Sequence, residues 1–280
     1  MKVALLLPGF VRGPRNIKNL LKLVKSNANV DIHVYSSTYD VMGLNRKEHA
    51  NPKVYWKMSP KIGNGYFDKI LSRIPHKVEC EHYFEADKIC NDFVTENYKG
   101  GFSTKEYWAT ANDKLRDGID DDIKSMKRSY GQWRKLWMTY NLIENPDQYN
   151  IIVRSRYDLK FEPQVQFHKF KNIAENCLYA KTSVNRGILF NDGQIQKHEL
   201  NDKFAIGSPE TMRKYCSHGE DSVFLTRMNE FASDTFLEKS GMQANKSNEL
   251  FISYLCYNVH NMKHKELNFN ININRRSKGY

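Results

Sequence analysis

The first 35 residues decide the fold. A short apolar run at residues 2–7 (KVALLL) is followed by a turn at residues 8–13 (PGFVRG). A helical pattern comes next, because apolar side chains recur at a spacing of three to four, at Ile17, Leu20, Leu21 and Val24. Residues 30–35 (VDIHVY) then alternate like a strand and lead into a polar run. A strand, a helix and a second strand in so short a stretch predict a right-handed unit with parallel strands.

The middle of the chain continues the alternation of helices and strands. Residues 121–145 have the pattern of a long helix, which ends at the turn Asn145-Pro146-Asp147. Residues 149–153 form an apolar strand. Ser208 precedes a proline and a glutamate, as at a capped helix start. Shorter strands are predicted at 177–180, 187–190 and 203–206, and further helices at 220–231 and 247–258.

The chain has no internal repeat and no break in composition that would mark a linker. We therefore predict one α/β domain over residues 1–267, followed by a basic, Asn-rich tail at residues 268–280.

The composition favours an anionic partner. The protein has 280 residues, of which 40% are apolar and 12% aromatic, so the class of disordered proteins is excluded. The 43 Lys and Arg against 32 Asp and Glu give a net charge of +11. Such a charge suits nucleic acid, an acidic membrane surface or a phosphorylated small molecule. No apolar run approaches the roughly 20 residues of a membrane helix, and no nucleic-acid-binding signature appears.

The cysteines and the amino terminus bear on the compartment. The five cysteines are odd in number and include no C-x-x-C pair, which predicts reduced thiols in the cytoplasm and no structural zinc. The first apolar run stops at Pro8 and is followed by Arg12 and Arg15 rather than a cleavage site. It is therefore predicted to be a buried strand and not a signal peptide.

The strongest chemical motif is RSRYD at residues 154–158, directly after an apolar strand. If the strand continues, Arg154, Arg156 and Asp158 project to one face at the carboxyl edge of the sheet, where α/β proteins bind ligands. Guanidinium groups bind phosphate oxygens and a carboxylate can hold a divalent cation. The alternative is an ion-pair ladder on an edge strand. Charge directly after a buried run favours the functional interpretation.

The turn after the first strand is a weaker candidate. Gly9 and Gly13 allow the backbone to approach a ligand, and Arg12 adds a positive charge. The turn matches neither G-x-G-x-x-G nor a P-loop, and a tight connection from strand to helix explains it equally well.

Four acidic segments are candidates for a catalytic carboxylate. Asp202 precedes an apolar strand in residues 201–208 (NDKFAIGS), with an Asx-turn as the alternative. Asp120–Asp122 contains the only D-x-D of the chain, but it begins a long helix and is interpreted as structural. Glu220-Asp221 and Glu249 each precede a helical pattern, and helix capping explains them equally well.

The order of these segments resembles the small glycosyltransferases of chlorella viruses, a group with the GT-A fold that includes a xylosyltransferase. The resemblance covers residues 1–258 and is carried by the segments PGFVR (8–12), YNIIVRSRYDL (149–159), NDKFAIGS (201–208) and NELF (248–251), together with Tyr130, Gln132 and Lys135. It implies a GT-A-like (Rossmann-like) fold with a central, mostly parallel sheet flanked by helices. It also implies transfer of a sugar, with xylose expected, from a UDP-sugar to a glycan acceptor during capsid N-glycan synthesis in the host cytoplasm.

The resemblance also implies roles for single residues. Asp158 would hold Mn²⁺ or Mg²⁺ against the diphosphate, although Arg156 stands where relatives have a second acidic residue. Asp202, Asp221 or Glu249 would deprotonate the acceptor hydroxyl in an inverting reaction. The nucleotide pocket would be lined by Pro8, Gly9, Phe10, Arg12, Ser36, Gln132, Lys135, Arg154 and Arg156.

Two other classes of protein are alternatives. One is a non-catalytic carbohydrate- or nucleic-acid-binding protein that uses its basic surface. The other is a phosphotransferase, against which the missing P-loop and kinase motifs count.

Overall fold

The computed structural model describes residues 1–12, 14–43, 57, 59–97, 118–162, 164–189, 195–226 and 252–273. The chain opens with strand β1 (Lys2–Leu6), helix α1 (Pro14–Lys25) and strand β2 (Asp31–Tyr39). The two strands are parallel, with Val3 opposite Ile32, which confirms the predicted unit. Helix α1 buries Leu23 in place of the predicted Leu21, which is exposed.

The remaining elements follow in chain order. They are α2 (Asn64–Ile70), β3 (His76–Glu81), α3 (Tyr83–Asn97), α4 (Gly118–Asn141), β4 (Ile151–Arg154), β5 (Leu159–Glu162), β6 (Cys177–Leu189), β7 (Ile195–Gly207), α5 (Pro209–Cys216), β8 (Lys263–Glu266) and β9 (Asn270–Ile273). Short 3₁₀ helices lie at Pro146–Gln148, Phe167–Phe170 and Ser217–Gly219, and a π-helix lies at Leu255–Val259.

Seven of the strands form one sheet, in the order β3-β2-β1-β4-β7-β6-β8. The first four are parallel, β7 is antiparallel to β4 and β6, and β8 is parallel to β6. The chain therefore moves outward from β1 through β2 to β3 and returns with β4 on the other side of β1. Such a reversal is a topological switch point, and here it lies between β1 and β4.

Helices cover both faces of this sheet. Side chains alternate along a strand, so β1 contributes Ala4 and Leu6 to one buried cluster and Val3 and Leu5 to the other. The first cluster includes Trp133 and Leu136 of α4, and we call this side of the sheet the α4 face. The second includes Ile17 and Leu20 of α1 and defines the α1 face. These layers confirm the predicted single α/β domain with a central, mostly parallel sheet.

Several element boundaries differ from the prediction. The short strands expected between residues 177 and 206 are parts of β6 and β7, which have 13 residues each and pair antiparallel with register shifts. Helix α4 ends four residues before the predicted end at 145. Residues 221–226 and 252–254 are helical, as expected, while 227–251 lie outside the described residues.

The segment predicted as a tail contains a strand. Strand β9 pairs antiparallel with β5, with Phe161 opposite Ile271, so residues 270–273 of that segment form a strand. Residues 274–280 lie outside the described part, and the domain boundary at 267 stays a prediction. All five cysteines are free thiols. Within the described ranges, no helix combines the length and the apolar character needed to cross a membrane.

Candidate functional site

The loops that follow β1 and β4 meet at the switch point through three charged side chains. Asp158 is only 2% exposed, and it accepts two hydrogen bonds from Arg156, one of 2.9 Å from Nε to Oδ1 and one of 2.7 Å from Nη2 to Oδ2. Arg12 reaches the same carboxylate, with its Nε 3.7 Å from Oδ2. Both arginine side chains remain partly exposed, at 38% for Arg12 and 22% for Arg156. We call Arg12, Arg156 and Asp158 the arginine cluster, and its net charge is positive.

Short hydrogen bonds fix the loops that carry the arginine cluster. The hydroxyl of Ser36 donates to the carbonyl of Leu7 at 2.6 Å and accepts from Tyr157 at 2.7 Å. The Gly9 N–H donates to Ser37 O at 2.9 Å, and Gly9 has φ +87°, a conformation that favours glycine. Ser36, predicted to line the nucleotide pocket, is fully buried and holds the two loops together.

An aromatic group lies beside these loops. The ring of Phe10 is 4.3 Å from that of Tyr39 and 5.4 Å from that of Tyr83, between ring centroids. Pro8 is buried and Phe10 half-buried. The predicted PGF segment therefore packs against β2 at the carboxyl ends of β1 and β2.

Lys135 belongs to a buried ion network that the sequence did not predict. Its Nζ lies 2.6 Å from Oε2 of Glu81, which also accepts two hydrogen bonds from Arg134, at 2.8 and 2.9 Å. The same Nζ donates to Ser37 and Thr38. The register of β2 against β3 brings Glu81 opposite Tyr39, next to Thr38 in the chain.

Burial and charge act in opposite directions on the pKa values of this network. Burial lowers the pKa of Lys135, and the carboxylate of Glu81 opposes that shift only in part. Burial would raise the pKa of Glu81, but the hydrogen bonds of Arg134 and the charge of Lys135 outweigh it, so this pKa is lowered. Glu81 is therefore the counter-ion that keeps a lysine and an arginine beneath the carboxyl ends of β2 and β3.

Arg154 does not join the arginine cluster, which corrects the prediction that residues 154, 156 and 158 share a face. Strand β4 ends at Arg154, so the alternation of side chains does not extend to the later residues. Its guanidinium is 1% exposed, 3.4 Å from the hydroxyl of Tyr215 and 5.9 Å from the ring centroid of Trp133. Strand β4 lies between β1 and β7 and is not an edge strand, but Asp158 is paired with Arg156 and Arg12, as the ion-pair alternative expected.

Asp202 lies at the same edge of the sheet as the arginine cluster. Strand β7 runs antiparallel to β4 with Ala205 opposite Arg154, so residues before 205 extend beyond the carboxyl end of β4. Asp202 is buried and accepts a hydrogen bond from the amide of Gln132, another predicted site residue. Burial raises the pKa of Tyr215, the charge of Arg154 opposes this shift, and the charge of Asp202 adds to it. Arg154 and Asp202 thus both lie within electrostatic reach of this phenol.

The other acidic candidates are placed separately. Asp221 is exposed and accepts a hydrogen bond of 2.6 Å from the hydroxyl of Tyr130. Burial of that phenol and its bond to Asp221 raise the pKa of Tyr130. Glu249 lies outside the described residues. Asp120–Asp122 lies in the first turns of α4, as the structural interpretation expects.

The predicted metal role of Asp158 can be compared with its contacts. Both of its oxygens accept from Arg156. In the part of the chain that is described, no three His, Cys, Asp or Glu side chains are grouped as metal ligands. A divalent cation prefers several oxygen ligands, and this donor set, one carboxylate shared by two arginines, does not fit it.

The arginine cluster lies at the switch point of an α/β sheet, the position where open sheets of this kind bind ligands. No family model and no curated protein matches the chain. Among solved structures, apo mouse xyloside xylosyltransferase 1 is similar at 10% identity, with a TM-score of 0.44, over 95% of this chain and 85% of that one. Two structures of the glycosyltransferase GlyE from Streptococcus pneumoniae TIGR4, one of them apo, are similar at 10% identity with TM-scores of 0.40 and 0.41. These matches cover 94% and 95% of this chain but only 44% and 45% of the GlyE chain. This chain therefore spans less than half the length of GlyE. Likeness at this level assigns no function.

Proposed function

We propose that the protein is a glycosyltransferase that moves a sugar from a nucleotide-diphosphate donor to a hydroxyl group of a glycan acceptor. One observation carries the proposal. Two arginines from different loops converge on one buried carboxylate at the topological switch point, where open α/β sheets bind their ligands.

The arginine cluster has the properties of a diphosphate site. Asp158 neutralises only one of the two guanidinium charges, and both arginines reach solvent. The carboxylate also holds the planar group of Arg156 in one orientation through its paired contact. A pre-oriented guanidinium loses less conformational entropy when it binds phosphate oxygens.

The chemistry follows from where negative charge develops. As the bond between the sugar and the diphosphate breaks, charge accumulates on the leaving phosphate oxygens. Arg12 and Arg156 would stabilise that charge from fixed positions, the kind of term that contributes most in many enzymes. Because the donor set does not fit a divalent cation, this stabilisation is assigned to the arginines.

The acceptor hydroxyl needs a base if the reaction inverts the anomeric centre. Asp202 is the described carboxylate that the register of β7 carries beyond the end of β4, and Gln132 orients it. Asp221 is held by Tyr130, and Glu249 is the third candidate. We propose Asp202 as the base on the basis of this placement.

The finer details rest on the resemblance of the central motifs. On that basis we propose UDP as the nucleotide, xylose as the first sugar to test, and an acceptor on a viral capsid N-glycan in the cytoplasm. The donor panel should include other UDP-sugars, because none of the described contacts selects the sugar.

Calorimetric titration with UDP tests the proposal. Wild-type protein should bind UDP, and Asp158→Asn should bind it more weakly, because Arg156 loses the paired contact that holds its guanidinium in one orientation. Asp147→Asn, an exposed aspartate at the other edge of the sheet, is the matched control and should bind UDP normally.

Each outcome of this titration has a definite meaning. Absence of UDP binding, with and without Mn²⁺, overturns the proposed function. Steep salt dependence of polynucleotide binding without donor hydrolysis would instead favour the binding-protein alternative. Unchanged affinity in Asp158→Asn would reduce Asp158 to a structural ion pair. Affinity that rises with Mn²⁺ in the wild type only would restore the predicted metal role of Asp158.

A further inference from the structure

A cavity lies at the amino-terminal edge of the sheet, opposite the arginine cluster. Its volume is about 200 Å³, and its lining includes His33 and Tyr35 of β2, Lys77 of β3, and Glu144 and Gln148 from the connection between α4 and β4. None of these residues belongs to the site proposed for transfer. The cavity therefore needs an explanation of its own.

A chain of hydrogen bonds ends in this cavity. Nε2 of His33 is 3.2 Å from Asp31, its Nδ1 is 3.0 Å from the hydroxyl of Tyr149, and that hydroxyl is 2.6 Å from the hydroxyl of Tyr35. A phenol both donates and accepts. If the Tyr35 hydroxyl donates to Tyr149, it can still accept a hydrogen bond, and if it accepts from Tyr149, it can still donate one. A hydroxyl group of a ligand can also donate and accept, so it can pair with Tyr35 in either case.

The charges around the cavity are balanced. Lys77 pairs with Glu144 at 3.2 Å, and the other nearby lysine, Lys2, donates to Gln148 and lies over the ring of Tyr149. With Asp31 counted, two lysines face two carboxylates, and His76, which also lines the cavity, pairs with Asp68 at 3.0 Å. This balance contrasts with the positive arginine cluster, and it favours a neutral ligand over a phosphate.

We propose that this cavity binds one neutral sugar ring, as a single residue of a glycan, at a site separate from that of sugar transfer. Its volume is below the roughly 300–1,000 Å³ typical of pockets for larger ligands, so it suits one ring and not a nucleotide. The lining is mostly polar and includes the imidazole of His33 and the phenol of Tyr35. The carboxylate of Glu144, the amide of Gln148 and the ammonium of Lys77 offer acceptors and donors for hydroxyl groups.

The open rim of the cavity suits a sugar that is part of a chain. Glu144 is 85% exposed, and Lys77 is 48% exposed. The next sugar of the glycan could therefore extend into solvent past either side chain. The proposal does not depend on the transferase activity, because a non-catalytic protein could bind a glycan in the same way.

Saturation-transfer NMR with the methyl glycosides of xylose, glucose and galactose tests the proposal. At least one of them should bind saturably, without competition from UDP. Glu144→Gln and Gln148→Ala should each weaken binding by about tenfold, because each removes a hydrogen-bonding partner, one of them charged. Glu96→Gln, an exposed glutamate on α3, is the matched control and should bind as the wild type does.

The outcomes separate this inference from the proposed function. Thermal unfolding of the variants should match the wild type, because Glu144 and Gln148 are exposed, and UDP binding should be unchanged. The inference is wrong if none of the glycosides binds saturably, if both variants bind normally, or if UDP displaces the sugar. Preferential binding of sulfate by the cavity would overturn the assignment of a neutral ligand.

Discussion

The two edges of the same sheet are built on different chemistry. At the carboxyl edge, arginines from two loops surround one buried carboxylate, and a buried lysine and arginine share another, so positive charge exceeds negative. At the amino edge, a chain of neutral hydroxyls and an imidazole lies beside paired charges. The contrast shows that the net charge of +11 is not spread evenly over the possible sites. Each of the two ion groups at the carboxyl edge carries one positive charge in excess, whereas the Lys77–Glu144 pair at the amino edge is neutral.

The largest expected effect is on turnover at the carboxyl edge. If Asp202 is the base, Asp202→Asn should lower kcat by about 100- to 10,000-fold, because a positioned base contributes that much. UDP affinity should stay unchanged. Steady-state kinetics and calorimetry with the best donor measure the two effects.

Two other variants complete this experiment. Asp221→Asn and Glu249→Gln should keep turnover close to that of the wild type. Full activity of Asp202→Asn would exclude it as the base, and loss of turnover in one of the other variants would assign the role there.

The second effect concerns stability beneath the carboxyl edge. Glu81→Gln leaves the buried Lys135 without its carboxylate, and breaking one side of a buried pair costs about 3–5 kcal/mol. Urea unfolding at neutral pH should show this loss in the free energy of unfolding. The double variant Glu81→Gln/Lys135→Met removes both charges and should recover a large part of it.

Glu81 should also leave a signature in the dependence of stability on pH. The pKa of Glu81 is lowered from 4.5 in the folded protein. As the pH falls, this carboxylate is therefore protonated in the unfolded chain at a higher pH than in the folded protein. The stabilising contribution is complete above pH 4.5 and is lost as the pH falls toward the folded-state pKa. Glu81→Gln should lack this part of the acid loss. Parallel acid profiles for the two proteins would contradict the role of the ion network.

The third effect, on affinity, sharpens the contrast between the edges. Arg156→Ala should weaken UDP binding by about 10- to 100-fold, since hydrogen bonds to charged groups contribute roughly 1.5–3 kcal/mol. Arg213→Ala on α5 removes an exposed arginine that also pairs with a carboxylate, and it should not change the affinity. Methyl glycosides should still bind Arg156→Ala. Equal loss of UDP affinity in both variants would show that general charge, and not the arginine cluster, attracts the nucleotide.

Local patterns were enough to predict the elements that position the site. The apolar runs of β1 and β4 and the alternation of β2 are properties of a few consecutive residues, and all three strands are present. The start of α5 is equally local, and Ser208 caps it by accepting from the N–H of Thr211. The sequence also placed Arg156 close to Asp158, because only Tyr157 stands between them in the chain.

Contacts between segments that are far apart in the chain could not be predicted from local patterns. Lys135 and Glu81 meet only because α4 packs across the ends of β2 and β3, and nothing near either residue in the chain indicates the other. The end of β4 could not be predicted to one residue, and it decides whether Arg156 and Asp158 continue on the same face as Arg154, which lies near Trp133. The link from Tyr35 through Tyr149 to His33 likewise depends on the packing of segments more than 100 residues apart.

The pairing of β5 with β9 has a consequence for how the protein is made. Asp158 is followed at once by β5, and Leu159 lies opposite Ile273, about 110 residues later in the chain. Closing so long a loop costs entropy and slows folding. During translation, the segment that bears the buried carboxylate emerges long before its partner strand. A ribosome that stalls before residue 270 therefore holds a nascent chain with the edge of β5 unpaired, open to association with other chains.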